Sequence, residues 1–313
     1  MSFALDVKDD LLKISNSDEK ADKLQLEAMI KFGGELIISK PLRLTFTCNN
    51  LGVMRLFIKI CKLYYKIDYE LVSRVINRFD NHTIFTISIY DNVERILNDI
   101  NWIGDINVQN LIFDNEEYMA AYLRGAFLVR GSVNDPASKN SHLEIISTNE
   151  KEILFIQRIM NKFELNARIS KRKNYLLVYL KAKQDIGDFL YRLGATQSMN
   201  YYEDVVITKE IKANAKRAIN LDIANQDKTN EAALEQLKCI RYLEYHYPLE
   251  HLDSKLLMIM KVRKEHPEHS LMQLLDIIHD DYDPKLTKSG LNHRLRKLKE
   301  LAKELATKRG ENI

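Results

Sequence analysis

Glycine, proline, cysteine and tryptophan are all scarce in this chain, at ten, five, three and one among 313 residues. The cysteines, Cys48, Cys61 and Cys239, are odd in number, scattered and set among apolar neighbours. That excludes a disulfide framework and a thiolate metal cluster, and predicts reduced thiols in a cytoplasmic protein. His266, His269, His279 and His293 fall in separate helical and turn segments without a cysteine partner, so no metal site is expected. The few glycines form no glycine-rich phosphate loop, and no cofactor is expected. Also missing is any run of about eighteen apolar residues, so a membrane partner is not expected. Acids at Asp6, Asp9 and Asp10 come too early for a signal peptide, and the first residues read as an amphipathic helix.

What is present is an ordinary globular composition, 45% hydrophobic and 29% charged, at a length suited to about two domains. Charge is placed unevenly. The net is +3, yet nine Lys/Arg against two Glu between Lys285 and Arg309 give that stretch +7 and leave −4 for the rest. A basic C-terminal module on a mildly acidic body points to a polyanion partner for that module.

The body contains an internal repeat. Leu123-Arg-Gly-Ala-Phe-Leu-Val-Arg-Gly131 has a weaker copy 97 residues earlier, Leu26-Glu-Ala-Met-Ile-Lys-Phe-Gly-Gly34. Glycine at the end of each copy is expected to supply the positive φ that turns a helix directly into a strand. β-rich runs follow the first copy at 35–39 and 42–47, then a helix opened at Asn49 or Asn50, strands near 68–74 and 83–90, and a helix from Asp91. After the second copy come 132–133 and 143–148, then a helix opened by Asn149 with Glu152 at capping-box spacing. Strands near 167–171 and 175–181 and a helix from Asp185 complete the set. Trp102 reads as a core anchor between the halves. Both halves thus read αββαββα. The predicted fold class is α+β, a duplicated αββαββα domain followed by an all-α domain. The expected boundaries are an N-terminal helix over 1–18, repeats over 19–110 and 111–200, a helical linker over 201–225 and a helical domain over 226–310.

Each nine-residue copy resembles the LAGLIDADG signature of homing endonucleases. That resemblance implies a DNA-shaped saddle, with a metal-binding carboxylate at the eighth position of each copy. Gly33 and Arg130 stand there instead, so no catalytic residue is expected. Arg168, Lys171, Arg172, Lys173, Lys181 and Lys183 cluster on and around the paired strands of the second half. They suit secondary phosphate contacts, or a lysine-protected sheet edge. Because alternate strand residues face opposite ways, about half of them are expected to reach DNA.

In the tail, helices are expected near 230–245, 253–264, 270–279 and 288–306, broken at Pro248, Pro267 and Pro284. The last two, with the turn containing 280–285, read as a helix-turn-helix at about 270–304. Leu291, Leu295, Leu298, Ala302 and Leu305 give the final helix an apolar face, and its polar faces carry Asn, His, Arg and Lys. Asn292 and Arg296 have the hydrogen-bonding geometry for adenine and guanine edges. Lys285, Lys288, Lys297 and Lys299 suit phosphates, Ser289 belongs to the amide-rich helix start, and His293 and Arg294 flank the reading face.

Leu123-Arg-Gly-Ala-Phe, Gly131-Ser-Val-Asn-Asp-Pro136, His142-Leu-Glu144 and Leu286-Thr-Lys-Ser-Gly-Leu-Asn-His-Arg-Leu-Arg-Lys-Leu298 together closely resemble the WhiA family, over essentially the whole chain. The resemblance implies a non-enzymatic, nucleoid-associated DNA-binding transcription regulator. It links the chain to cell division, chromosome segregation and, in sporulating hosts, sporulation. Its partners would be double-stranded DNA and another transcription regulator or division protein. The alternative is a scaffold that docks such a protein while the tail holds DNA; a metal-dependent DNA endonuclease is the minor one.

Overall fold

The computed structural model describes residues 2–76, 82–100, 102, 112–311 and 313. The chain divides into two units, Met1–Glu210 and Ile211–Ile313. In the first, α1 (Phe3–Leu11) precedes two runs of the same order. The earlier run is α2 (Glu19–Gly33), β1 (Gly34–Ile37), β2 (Arg43–Cys48), α3 (Leu51–Tyr65), β3 (Tyr69–Ile76), β4 (His82–Ile89) and α4 (Val93–Asp99). The later run is α5 (Glu116–Arg130), β5 (Gly131–Val133), β6 (Leu143–Ser147), α6 (Glu150–Lys162), β7 (Arg168–Arg172), β8 (Tyr175–Leu180) and α7 (Lys183–Leu193). Each run makes a four-stranded antiparallel sheet, ordered β1-β2-β4-β3 and β5-β6-β8-β7. The predicted duplication is therefore present element by element. The segment 103–111, where the boundary between repeats is expected, lies outside the described residues.

The repeat extends to the helix caps. Asp18 and Asn115 open α2 and α5 with side chains that accept from Ala21 N and Glu117 N. Asn50 and Asn149 open α3 and α6, accepting from Val53 N and Lys151 N. An Asx side chain at each start satisfies an amide that the helix itself leaves unpaired.

Two local expectations are corrected. Gly34 and Gly131, which follow α2 and α5, have φ of −90° and −83°, not positive values. What excludes a side chain there is space: a Cβ on Gly131 would stand 2.6 Å from the Phe127 carbonyl oxygen, and one on Gly34 2.5 Å from that of Ile30. Nor does Glu152 turn back to cap α6. It is buried, accepts from Tyr122 Oη at 2.8 Å and lies 3.7 Å from Lys31 Nζ. A carboxylate at the third helical position can serve the interior when a buried hydroxyl and ammonium offer stronger partners than an exposed amide.

The signature helices α2 and α5 pack along each other through the middle of the first unit. Gly125 permits the approach, since a Cβ there would meet Gln25 O at 2.3 Å and Ala28 Cβ at 2.9 Å. Beside it the buried Arg124 donates to Asn16 Oδ1 and Glu117 Oε1, both at 2.6 Å, and to Leu193 O at 3.2 Å. The Leu-Arg-Gly core of the motif is thus a helix-crossing device. One hydrophobic core joins both runs, with Phe46, Phe57, Tyr122, Phe127 and Phe189 among its members and Trp102 half-buried against it.

The helical linker predicted over 201–225 and the helix predicted over 230–245 form one helix, α8 (Thr196–His246). No glycine or proline interrupts that span, so nothing in the backbone chemistry stops it, and its polarity alone had suggested a linker. In the second unit the end of α8 joins a short 3₁₀ turn (Leu249–His251), α9 (Ser254–Glu265), α10 (Leu271–Asp281) and α11 (Lys288–Arg309). A separate core of Ile240, Leu243, Ile259, Leu274, Ile278, Leu291, Leu295 and Leu298 holds them together. No helix among the described residues is long and apolar enough to cross a membrane.

Candidate nucleic-acid interface

At the ends of the signature helices the two eighth-position residues are Gly33 and Arg130, as the sequence requires. A Cβ on Gly33 would stand 2.8 Å from both Phe46 Cε2 and Val129 Cγ1. The Phe46 ring is itself stacked on Phe57 with centroids 4.1 Å apart, so it has little room to yield. Arg130 turns across the pseudo-dyad and donates from Nε to Phe32 O at 2.9 Å, placing its charge at the carbonyl end of α2. Burial, with a smaller repulsion from Arg130, lowers the nearby Lys8 ammonium to about 8. A cleft of about 410 Å³ here is lined by Lys31, Gly33, Glu35, Thr47, Arg130 and Tyr175. One carboxylate, Glu35, faces two cations. Asp135, the other nearby acid, is spent on a turn, accepting from Ala137 N at 2.7 Å. This donor set does not fit a divalent metal: glycine supplies no ligand and the guanidinium repels the ion.

The strand register sorts the basic cluster of the second half. Leu143, Ile145, Val178 and Leu180 pair with one another on the core face. Arg168 opposite Tyr179 and Arg172 opposite Tyr175 therefore lie on the outer face, whereas Lys171 opposite Leu176 shares the core side at an exposed edge. Lys173 occupies the hairpin turn at φ 32°, and Lys181 stands just past β8 with Nζ 5.2 Å from the Tyr179 ring centroid. A cleft of about 770 Å³ gathers Asn134, His142, Arg172, Tyr179, Lys181 and Lys183. Its charge is partly neutralised, since Glu144 lies 2.9 Å from His142 Nε2 and 3.5 Å from Arg172 Nη1. The outer face of the first sheet is different in kind. Thr45, Thr47, Thr86 and Ser88 share it with charges of both signs, Glu35, Arg43, Glu70 and Arg74.

In the second unit, α10 opens with a full capping box between Ser270 and Gln273. The turn that follows is pinned at both ends. His279 Nε2 donates to Leu286 O at 2.6 Å, Asp283 accepts from Lys285 N at 3.1 Å, and Thr287 caps α11 by accepting from Gly290 N at 3.1 Å. Leu291, Leu295, Leu298 and Ala302 are buried, which fixes the rotation of α11 about its axis. Lys285, Lys288, Ser289, Asn292, His293, Arg296 and Lys297 are consequently exposed in the turn and the first three turns of helix. Within α11 the acids Glu300 and Glu304 enter only further along, so its first three turns carry no acid of their own, while Asp280 and Asp281 end α10 and Asp283 lies in the preceding turn.

Two of the predicted contacts are instead half-buried. Lys299 is half-buried and ion-paired with Glu235 of α8, which is also 3.7 Å from Lys303. That hydrogen bond from Lys299 holds the Glu235 carboxyl below its usual range. Arg294 is half-buried, with Nη1 enclosed.

Sequence reasoning missed Arg263. Only 1% exposed, it donates from Nε to Gln236 Oε1 at 2.8 Å and from Nη1 to the carbonyls of His269 at 2.6 Å and His266 at 3.3 Å. All three partners are neutral, and burial lowers the guanidinium pKa. The signal was available: Leu256, Ile259, Met260 and Arg263 follow core spacing along α9. Arg263 forms the floor of a cleft of about 330 Å³ with Lys228, Gln236, Ser270, Lys288 and Asn292. The cleft joins the start of α10 to the exposed face of α11, and its cations and helix starts suit a phosphate oxygen.

Comparison with known proteins agrees with this architecture. Residues 19–103 match the WhiA N-terminal LAGLIDADG-like domain, 119–212 the WhiA LAGLIDADG-like domain and 215–302 the WhiA C-terminal HTH domain. A relative from Enterococcus faecalis, "Probable cell division protein WhiA", is 35% identical over 98% of this chain and 99% of its own. One of the same name from Staphylococcus saprophyticus is 34% identical over 100% of this chain and 99% of its own. Among solved structures, full-length DUF199/WhiA from Thermatoga maritima shares the fold at 21% identity and a TM-score of 0.59, covering 97% of this chain and 98% of that one. The duplicated LAGLIDADG-like unit and the helix-turn-helix tail thus find their counterparts together, along the full length, and the chain belongs to the WhiA family.

Proposed function

We propose that this protein is a non-enzymatic, DNA-binding transcription regulator acting in bacterial cell division. In sporulating hosts the same reading extends to sporulation, and more broadly to chromosome segregation. The observation that carries it is the start of α11, where an acid-free face is held outward by a buried leucine stripe and a doubly pinned turn. In this reading Asn292 and Arg296 read base edges in the major groove. Lys285, Lys288 and Lys297 hold phosphates, Ser289 and His293 lie beside them, and Lys299 and Arg294 brace α11 against its own unit. Arg168, Arg172 and Lys181 add secondary phosphate contacts from the second sheet. The neutral outer face of the first sheet favours a second role for that half, docking another regulator or division protein.

Lys297→Ala should weaken binding about equally for all sequences and lower the salt slope by about one. Titrating labelled duplexes at several salt concentrations measures both quantities, and an unchanged slope would remove Lys297 from the interface. A second assay concerns catalysis. With supercoiled plasmid and Mg²⁺ or Mn²⁺, nicking should not exceed that of a heat-inactivated control; protein-dependent nicking would refute the non-enzymatic reading.

A further inference from the structure

The duplication makes β3 and β7 equivalent strands, each at the outer edge of its sheet. Their edges are treated differently. β7 carries Arg168, Lys171 and Arg172 within five residues, a charged edge of the kind that discourages strand addition. β3 is eight residues long, and its centre exposes Leu71, Val72 and Val75 at 45%, 58% and 61%. Its only charges are Glu70 and Arg74, of opposite sign and placed two residues either side of Val72.

That placement makes the strand complementary to itself. Laid antiparallel against a second copy with the dyad at Val72, Glu70 of each strand faces Arg74 of the other. Tyr69 then faces Val75, Leu71 faces Ser73, and the two Val72 side chains meet on the axis. Opposite-charge and aromatic–β-branched pairs are the favourable cross-strand combinations, and a two-fold contact makes each of them twice. Among antiparallel registers, this alone sets Glu70 opposite Arg74. Tyr90 Oη donates to Glu70 Oε2 at 3.2 Å, which orients the carboxylate and leaves its other oxygen available. Among the described residues no strand pairs with the outer edge of β3, and the amides and carbonyls there supply the rest of the interface. We propose that the β3 edge joins two copies of this chain into a dimer, extending the four-stranded sheet to eight strands across the dyad. This inference does not depend on what the tail binds.

Sedimentation velocity of the full chain over a wide concentration range tests it. Wild type should show a reversible monomer–dimer equilibrium. Arg74→Glu and Glu70→Arg, which each create two like-charge pairs, should weaken dimerisation roughly tenfold. Combining them restores both pairs and should recover the wild-type constant. Val72→Lys, which sets two ammonium groups face to face on the axis, should also weaken it, and thermal unfolding confirms that each variant is folded. A wild type that stays monomeric throughout, a dimer indifferent to the single reversals, or a double variant no better than either single would overturn the proposal. So would strand capture by a different protein without self-association.

Discussion

Gly125→Val should lower the stability of the first unit by about 3 kcal/mol or more, at the upper end of what overpacking costs. The reason lies in what a Cβ would meet. Gln25 O would stand at 2.3 Å, and that atom belongs to the backbone of α2, so no rotamer change relieves the clash. The valine methyls would add to the separation that α2 and α5 must make, and the buried bonds of Arg124 to Asn16 and Glu117 depend on that separation. Denaturant unfolding followed by a probe in the first unit should show a lower midpoint for Gly125→Val. Gly125→Ala should fall between it and wild type. An unchanged midpoint for valine would mean that the helices part at little cost, and would sink the close-approach argument.

Arg296→Ala carries the largest expected effect on recognition. Arg296 is exposed on the acid-free start of α11, and a bidentate contact to a guanine edge is worth about 1–3 kcal/mol of discrimination. Affinity for a preferred duplex should therefore fall about 5- to 150-fold, at 1.4 kcal/mol per tenfold. Affinity for duplexes altered at the contacted base pair should change much less, so base preference at that position relaxes. The measurement is a panel of single base-pair variants titrated against wild type and Arg296→Ala at one salt concentration. A uniform loss over the panel would reassign Arg296 to the phosphate backbone.

Much of this molecule is legible in its sequence, for reasons that differ by residue. The duplication shows because strand periodicity and Asx caps are local signals, and Asn50 and Asn149 do at the surface what their positions suggest. The outward face of α11 follows from the spacing of Leu291, Leu295 and Leu298, since a helix with one apolar stripe can be buried in only one rotation. Three-dimensional competition is not legible in the same way. Glu152 has capping-box spacing, but Tyr122 and Lys31 reach it from elements remote in sequence. Lys299 looks like one more phosphate ligand until Glu235, 64 residues away, takes it. Arg263 hides because a guanidinium at a core position is discounted in favour of its apolar neighbours, although three neutral acceptors await it. The glycines after the signature helices have a different lesson. Their extended φ angles show that glycine also marks places where a Cβ would strike the preceding turn.

Arg130 and Gly33 together bar a two-acid metal site in two different ways. An acid at Arg130 would take the guanidinium away from Phe32 O and set a carboxylate at the carbonyl end of α2. An acid at Gly33 would drive a side chain into Phe46 and Val129, and through Phe46 into Phe57. Either substitution alone costs stability before any metal could bind, and neither makes a two-acid site without the other. The ends of the signature helices are thus closed to metal chemistry by packing as well as by charge, and what this domain can bind is left to its sheet faces and edges.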